Sequence, residues 1–101
     1  MNRFFEAQGR RWVAAAHRRD AVVEAPSLDP RVALELLELA RVAAHTQERR
    51  FAPLSCFMAG IAAERLRVAK PDIDDFALAN YIQEVRKELE AEAPASPESR
   101  P

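Results

Sequence analysis

The feature that most constrains this fold is the stretch from Phe51 to Ala63, which contains no charged residue in a chain that is 31% charged. The stretch is too short to cross a bilayer, since a spanning helix needs about 20 apolar residues. A helix that is apolar on most of its circumference is normally buried. We therefore predict a buried third helix within an all-α, compact four-helix bundle-like domain.

Proline and aspartate residues indicate where the other helices begin and end. Asp29 and Pro30 suit the N-cap and the first position of a second helix, and Pro53 suits the first position of the third. The residue before Pro71 avoids the α region, so the third helix should end there. Asp72 is then the predicted N-cap of a fourth helix.

The first helix is predicted over about residues 2–19, and its two faces differ in character. One face is apolar and carries Gly9, which weakens a helix by about 1 kcal/mol relative to alanine and so indicates a close contact. Residues 21–23 either prolong this helix or form an extended segment. The opposite face is either a solvated surface or a basic patch for nucleic acid or an acidic partner; it consists of Arg3, Glu6, Arg10, His17 and Arg18.

The helical wheels of the second and third helices predict which side chains face the core. In the second helix, Leu37 falls in the apolar arc, whereas Val42 falls among charges and is interpreted as incidental. The third helix has one bulky face and one face of small residues, which lets another helix backbone approach closely. Gly60 is predicted to be a packing residue on the small face.

Composition limits the classes of protein that fit this chain. We predict one domain over residues 1–93 and a disordered tail over residues 94–101, which are rich in proline and serine. A net charge of −1 predicts no general attraction to nucleic acid or membranes, and no apolar run long enough for a membrane span occurs. A single cysteine excludes an internal disulfide and is typical of a reducing cytoplasm.

No catalytic or metal-binding constellation stands out, and no cofactor is predicted. Cys56 is either a nucleophile near the start of a helix or a buried, inert thiol, and its uncharged neighbours favour the second interpretation. Two histidines without HExxH or CxxC spacing argue against a metal site. His45, Arg49 and Arg50 form the candidate site for a partner or an anion; alternatively, they only cap the second helix.

The sequence AHTQERRFAPL, followed by a Phe-x-x-Gly-x-Ala-Ala helix, resembles an uncharacterised small helical domain of actinobacteria. That domain occurs alone or fused to molybdopterin-guanine dinucleotide biosynthesis protein A, and its pattern reads approximately AHxxxRPxAPLxxFLxGLAAG. The resemblance covers residues 28–63, with Arg50 in place of the usual proline and Glu64 in place of the usual glycine. The matching residues are Ala44, His45, Arg49, Ala52, Pro53, Leu54, Phe57, Gly60, Ala62 and Ala63.

The resemblance implies an association with molybdenum-cofactor biology and no particular reaction. We therefore expect a non-enzymatic accessory or adaptor protein whose partner is a molybdoenzyme or a maturation factor, with a homo-oligomer also compatible. The alternative hypothesis is a small nucleic-acid-binding or regulatory helical protein that uses the basic face of the first helix.

Overall fold

The computed structural model describes residues 3–92, which form four α-helices and no strand. The prediction of an all-α chain with four helices is therefore confirmed. The predicted tail lies outside the described residues. None of the described helices is both long enough and apolar enough to cross a membrane. The helices are α1 (Arg3–His17), α2 (Pro30–Thr46), α3 (Phe51–Ala69) and α4 (Asp75–Ala91).

The described residues fall into two compact units, with the boundary between Pro30 and Arg31. The first unit contains α1 and the extended segment that follows it. The second unit contains nearly all of α2 together with α3 and α4. The single domain over residues 1–93 stays a prediction.

In the first unit, α1 ends in a Schellman-type turn built around Asp20. Asp20 has a φ of 61°, in the left-handed region that glycine usually occupies at this position. Its amide donates to the carbonyl of His17 at 3.0 Å, and the amide of Ala21 donates to the carbonyl of Ala16 at 2.9 Å. These bonds satisfy carbonyls that the last helical turn would otherwise leave unpaired. Residues 21–29 then have no regular secondary structure, and we call them the extended segment.

The extended segment passes very close to α1 at Gly9. Gly9 is the buried residue of α1, and a Cβ atom there would lie 2.8 Å from the carbonyl oxygen of Pro26. Real Cβ atoms do not approach backbone oxygen that closely, so only glycine fits this position. The predicted close contact at Gly9 is confirmed, although its partner is an extended segment and not another helix.

The core of the second unit comes from α2 and α4. Val42 is 2% exposed and Leu37 is 68% exposed, so the prediction for both residues was wrong. Compared with the predicted arc, the buried side of α2 is rotated towards Glu35. The carboxylate of Glu35 can lie at the helix interface because it pairs with Arg86 of α4. The buried apolar residues are Leu39, Val42, Ala43, Leu78, Ala79 and Ile82.

The prediction that α3 is buried is wrong, because no residue of this helix is buried. Its small side chains form the inward side, where the thiol of Cys56 donates to the carbonyl of Leu36 in α2 at 3.5 Å. The bulky side chains lie on the other side. The stretch from Phe51 to Ala63 lacks charge because α3 has two apolar faces. Only the face of small side chains packs in this unit. Gly60 lies off the packed side, with no atom within 4 Å of the position that a methyl group would occupy, so its predicted packing role is also wrong.

The start of α4 differs from the prediction by two residues. Asp74, and not Asp72, is the N-cap, and its carboxylate accepts a hydrogen bond from the amide of Ala77 at 2.8 Å. Asp72 lies in the preceding turn, in which the amide of Ile73 donates to the carbonyl of Lys70 at 3.0 Å. This turn delays the helix, because the chain must reverse before α4 can begin.

Candidate functional site

The most prominent surface feature of the second unit is an apolar face on α3, which Arg65 interrupts between Ile61 and Val68. Phe57 and Met58 each expose 71% of their area. The spacing of the exposed residues follows the helical repeat, so they form one stripe. Taking each side chain at roughly 150–200 Å², the stripe exposes on the order of 500 Å², the upper end for a monomeric protein. We call this the α3 bulky face; it consists of Leu54, Phe57, Met58, Ile61 and Val68.

Beside this face, α3 and α4 enclose an apolar groove of about 180 Å³, which we call the α3–α4 groove. The small side chains of α3 leave this space open, while Tyr81 and Val85 form the opposite wall. No lining residue carries a charge. Small-molecule sites usually measure about 300–1,000 Å³, so this groove is too small for a typical cofactor. Its lining is Leu39, Ser55, Met58, Ala59, Ala62, Tyr81, Ile82, Val85 and Leu89.

An ionic cluster joins α2 to α4 in the same unit. Arg86 donates to Glu35 and to Glu90, each at 3.2 Å, and Gln83 donates to Glu35 at 3.0 Å. Desolvation lowers the pKa of Arg86, but the hydrogen bonds from its guanidinium to Glu35 and Glu90 outweigh this effect and leave the pKa raised. Arg86 is therefore a permanent cation that ties the two helices together, and it has no proton to exchange in catalysis.

The predicted anion site lies in the segment that joins α2 to α3, and its three side chains are all exposed. Arg50 donates to the carboxylate of Glu48 at 2.7 Å in an ion pair that is largely exposed to solvent. Within residues 3–92, the side chain of Arg49 makes no hydrogen bond or ion pair. His45 lies in the last turn of α2. Both guanidinium groups of the predicted site are therefore exposed, and recognition by His45, Arg49 and Arg50 stays a prediction.

The motif residues from Ala52 to Phe57 lie in the first two turns of α3. The helix begins at Phe51, so Pro53 is its third residue and not, as predicted, its first; it still lies within the first turn, where a missing amide hydrogen is tolerated. Leu54 and Phe57 belong to the α3 bulky face, and Ala52 is half-buried. These motif residues therefore lie in the first turns of α3 and on its exposed side.

Cys56 is half-buried, not fully buried as predicted. Desolvation raises the pKa of its thiol, so the reactive thiolate form is disfavoured. Its hydrogen bond to the carbonyl of Leu36 also uses the thiol proton. Among the residues that the structure describes, no group of three histidine, cysteine or carboxylate side chains could hold a metal ion.

The first unit carries a second concavity, of about 440 Å³, between α1 and the extended segment. Phe5, Trp12 and Leu28 contribute apolar surface, and Arg10 of the basic face lies at its edge. The sequence did not predict this concavity, because it exists only through the return of the chain to Gly9. The five residues of the basic face are exposed, and the nucleic-acid hypothesis stays untested.

These features define a small all-α domain with an exposed apolar helix face. The chain belongs to the family described as a domain of unknown function, DUF6457, whose model matches residues 6–97. This match confirms the resemblance at the level of an uncharacterised domain family and extends it to almost the whole chain. Comparison with curated proteins and with solved structures gave no match.

Proposed function

We propose that this protein is a non-enzymatic adaptor that binds a partner protein through the α3–α4 groove. The observation that carries the proposal is the groove itself, which is apolar, lacks any charged lining residue and measures about 180 Å³. That volume is below the usual range for small-molecule ligands and is of the size of one large side chain. The occupant we propose is an apolar side chain projecting from an amphipathic helix of the partner.

The surroundings of the groove support a helical occupant. Both walls are helices, and recognition of this kind uses apolar anchors spaced one turn apart along the bound helix. Met58 lines the groove and is largely exposed, and its flexible thioether can adjust to an incoming side chain. Arg49, in the segment before α3, is an exposed cation that could pair with a carboxylate on the same partner.

The biological setting that we propose is molybdenum-cofactor maturation, with a molybdoenzyme or one of its maturation factors as the partner. This part of the proposal is supported only by the motif at residues 44–63 and its resemblance to the actinobacterial domain. The groove, by contrast, requires only that the partner presents an apolar anchor. The two parts can therefore be tested separately.

The test is a direct binding measurement with a charge placed in the groove wall. A tagged protein would capture partners from an extract of the native host, and the purified partner would then be titrated calorimetrically. Val85→Glu should weaken binding by at least about tenfold, because the groove would have to bury an unpaired carboxylate. Val22→Glu is the matched control, since Val22 is exposed but lies far along the chain from any groove residue.

Each outcome has a defined meaning. Weakened binding by Val85→Glu, with native affinity for Val22→Glu, supports the groove as the docking site. Native affinity for both variants rules the groove out. A captured partner with no connection to molybdenum enzymes removes the proposed setting and leaves the adaptor role intact.

A further inference from the structure

The α3 bulky face has a symmetric order along the helix. Its centre is Ile61, and Leu54 and Val68 lie seven positions before and after it. Phe57 and Arg65 lie four positions before and after the same centre. Residues separated by three, four or seven positions share one side of a helix, so this order is displayed on the surface.

We propose that the α3 bulky face binds the same face of a second copy of this protein, in an antiparallel helix pair centred on Ile61. A two-fold axis makes the same patch serve both subunits, so the patch must be complementary to itself. In an antiparallel pair, Leu54 of one copy meets Val68 of the other. Leu54, Ile61 and Val68 provide the apolar part of this complementarity, and the same axis places Phe57 opposite Arg65 and Met58 opposite Glu64.

The charges on α3 support the same arrangement. Glu64 and Arg67 pair with each other at 3.6 Å, whereas the side chain of Arg65 makes no ion pair or hydrogen bond within residues 3–92. In the proposed pair, the guanidinium of Arg65 lies against the ring of Phe57 from the other copy, a favourable cation–aromatic contact. Positions 57 and 65 are about 12 Å apart along one helix, so they do not satisfy each other within a single copy.

The size and shape of the face also fit a second copy. Its exposed apolar area, on the order of 500 Å², supplies the centre of an interface, and a polar rim would bring it to the roughly 800 Å² per partner that stable complexes bury. Gly60 adjoins the centre, and no atom lies within 4 Å of the space a side chain would fill there, so a second helix can approach. Residues 93–101 contain no large apolar side chain, so this segment does not offer an apolar cover.

This inference goes beyond the proposed adaptor role and concerns a different surface. The α3–α4 groove and the α3 bulky face share only Met58. Loss of self-association therefore does not require loss of partner binding. Phe57→Arg reports on the bulky face, whereas Val85→Glu reports on the groove, so the two proposals can fail independently.

The experiment is sedimentation equilibrium on the full chain, from low micromolar to hundreds of micromolar protein. The wild-type protein should form a dimer. Phe57→Arg should raise the dimer dissociation constant roughly a hundredfold. The new arginine of each copy would face Arg65 of the other copy, and the two-fold axis makes this repulsive contact occur twice. Adding Arg65→Glu to Phe57→Arg should restore association to within about tenfold of the wild type, because each new arginine then meets a carboxylate.

Leu34→Arg is the matched control, since Leu34 is a comparably exposed apolar residue on α2 that is absent from the α3 bulky face. It should leave the dimer unchanged, and circular dichroism should show that every variant is folded. A wild-type monomer throughout the concentration range overturns the proposal. A dimer that tolerates Phe57→Arg, or a double variant that stays monomeric, overturns the antiparallel pairing and with it the proposal.

Discussion

Removing the carboxylate of Glu35 tests how the second unit is held together. Glu35→Ala deletes the acceptor of two side-chain hydrogen bonds from α4, one from Gln83 at 3.0 Å and one from Arg86 at 3.2 Å. The side chains of Arg86 and Glu35 are only 14% and 15% exposed, so water replaces little of what is lost. Arg86 then retains Glu90 alone, and its Nε atom is buried without a partner already in the native protein.

The magnitude follows from the degree of burial. A hydrogen bond to a charged group contributes about 1.5–3 kcal/mol, and breaking a fully buried ion pair by deleting one member costs about 3–5 kcal/mol. Because the Arg86 side chain is still 14% exposed and keeps its ion pair with Glu90, we expect a loss of about 2–3 kcal/mol. For a domain of this size, that loss lowers the Tm by about 10–20 °C.

The assay is thermal unfolding followed by circular dichroism, supported by urea titration at constant temperature. Glu38→Ala is the matched control, since Glu38 also lies on α2 and pairs with an arginine, Arg41, but in a largely exposed position. Exposed ion pairs are screened by water and salt, so this variant should leave the Tm nearly unchanged. Equal, small effects of Glu35→Ala and Glu38→Ala would refute the view that the Glu35 pair holds α2 against α4.

Two further predictions concern single residues. Gly9→Ala should lower the Tm because the new methyl group meets the carbonyl of Pro26. Gly60→Ala should stabilise α3 by about 0.5–1 kcal/mol, because alanine favours helices and the space there is open. Urea unfolding of both variants should show changes in the free energy of unfolding of opposite sign, and changes of the same sign would contradict the contact between Gly9 and Pro26. Cys56 should react slowly with a neutral thiol reagent in native protein, with its labelling curve shifted to higher pH than in denaturant, because desolvation raises the thiol pKa. Identical native and denatured labelling curves would exclude that shift.

The sequence was informative about which segments are helical, because that information is local. Pro30 and Pro71 restrict the backbone on either side of them, and apolar and charged residues recur with a helical period in α1, α2 and α4. The position of the α4 cap was predicted less well. The choice between Asp72 and Asp74 depends on the turn that follows Pro71, and turn geometry is not determined by residue type alone.

The side of each helix that packs was harder to predict, because it depends on partners distant in the sequence. Val42 is buried and Glu35 lies in the interface only because Arg86, about 50 residues later, neutralises the carboxylate. For α3, hydrophobicity alone indicated burial, although the contact with α2 is made through small side chains such as Cys56. The sequence did not predict the α3–α4 groove for the same reason, because a helical wheel describes one helix and not the space between two helices.

The reversal of the chain after α1 has a kinetic consequence. The contact between Gly9 and Pro26 closes a loop of about 17 residues, and the entropic cost of closure grows only slowly with loop length. Segments of this length explore closed conformations in well under a microsecond, far faster than long-range pairings form. The contact between Gly9 and Pro26 is therefore expected to form before the ion pairs between α2 and α4 are made.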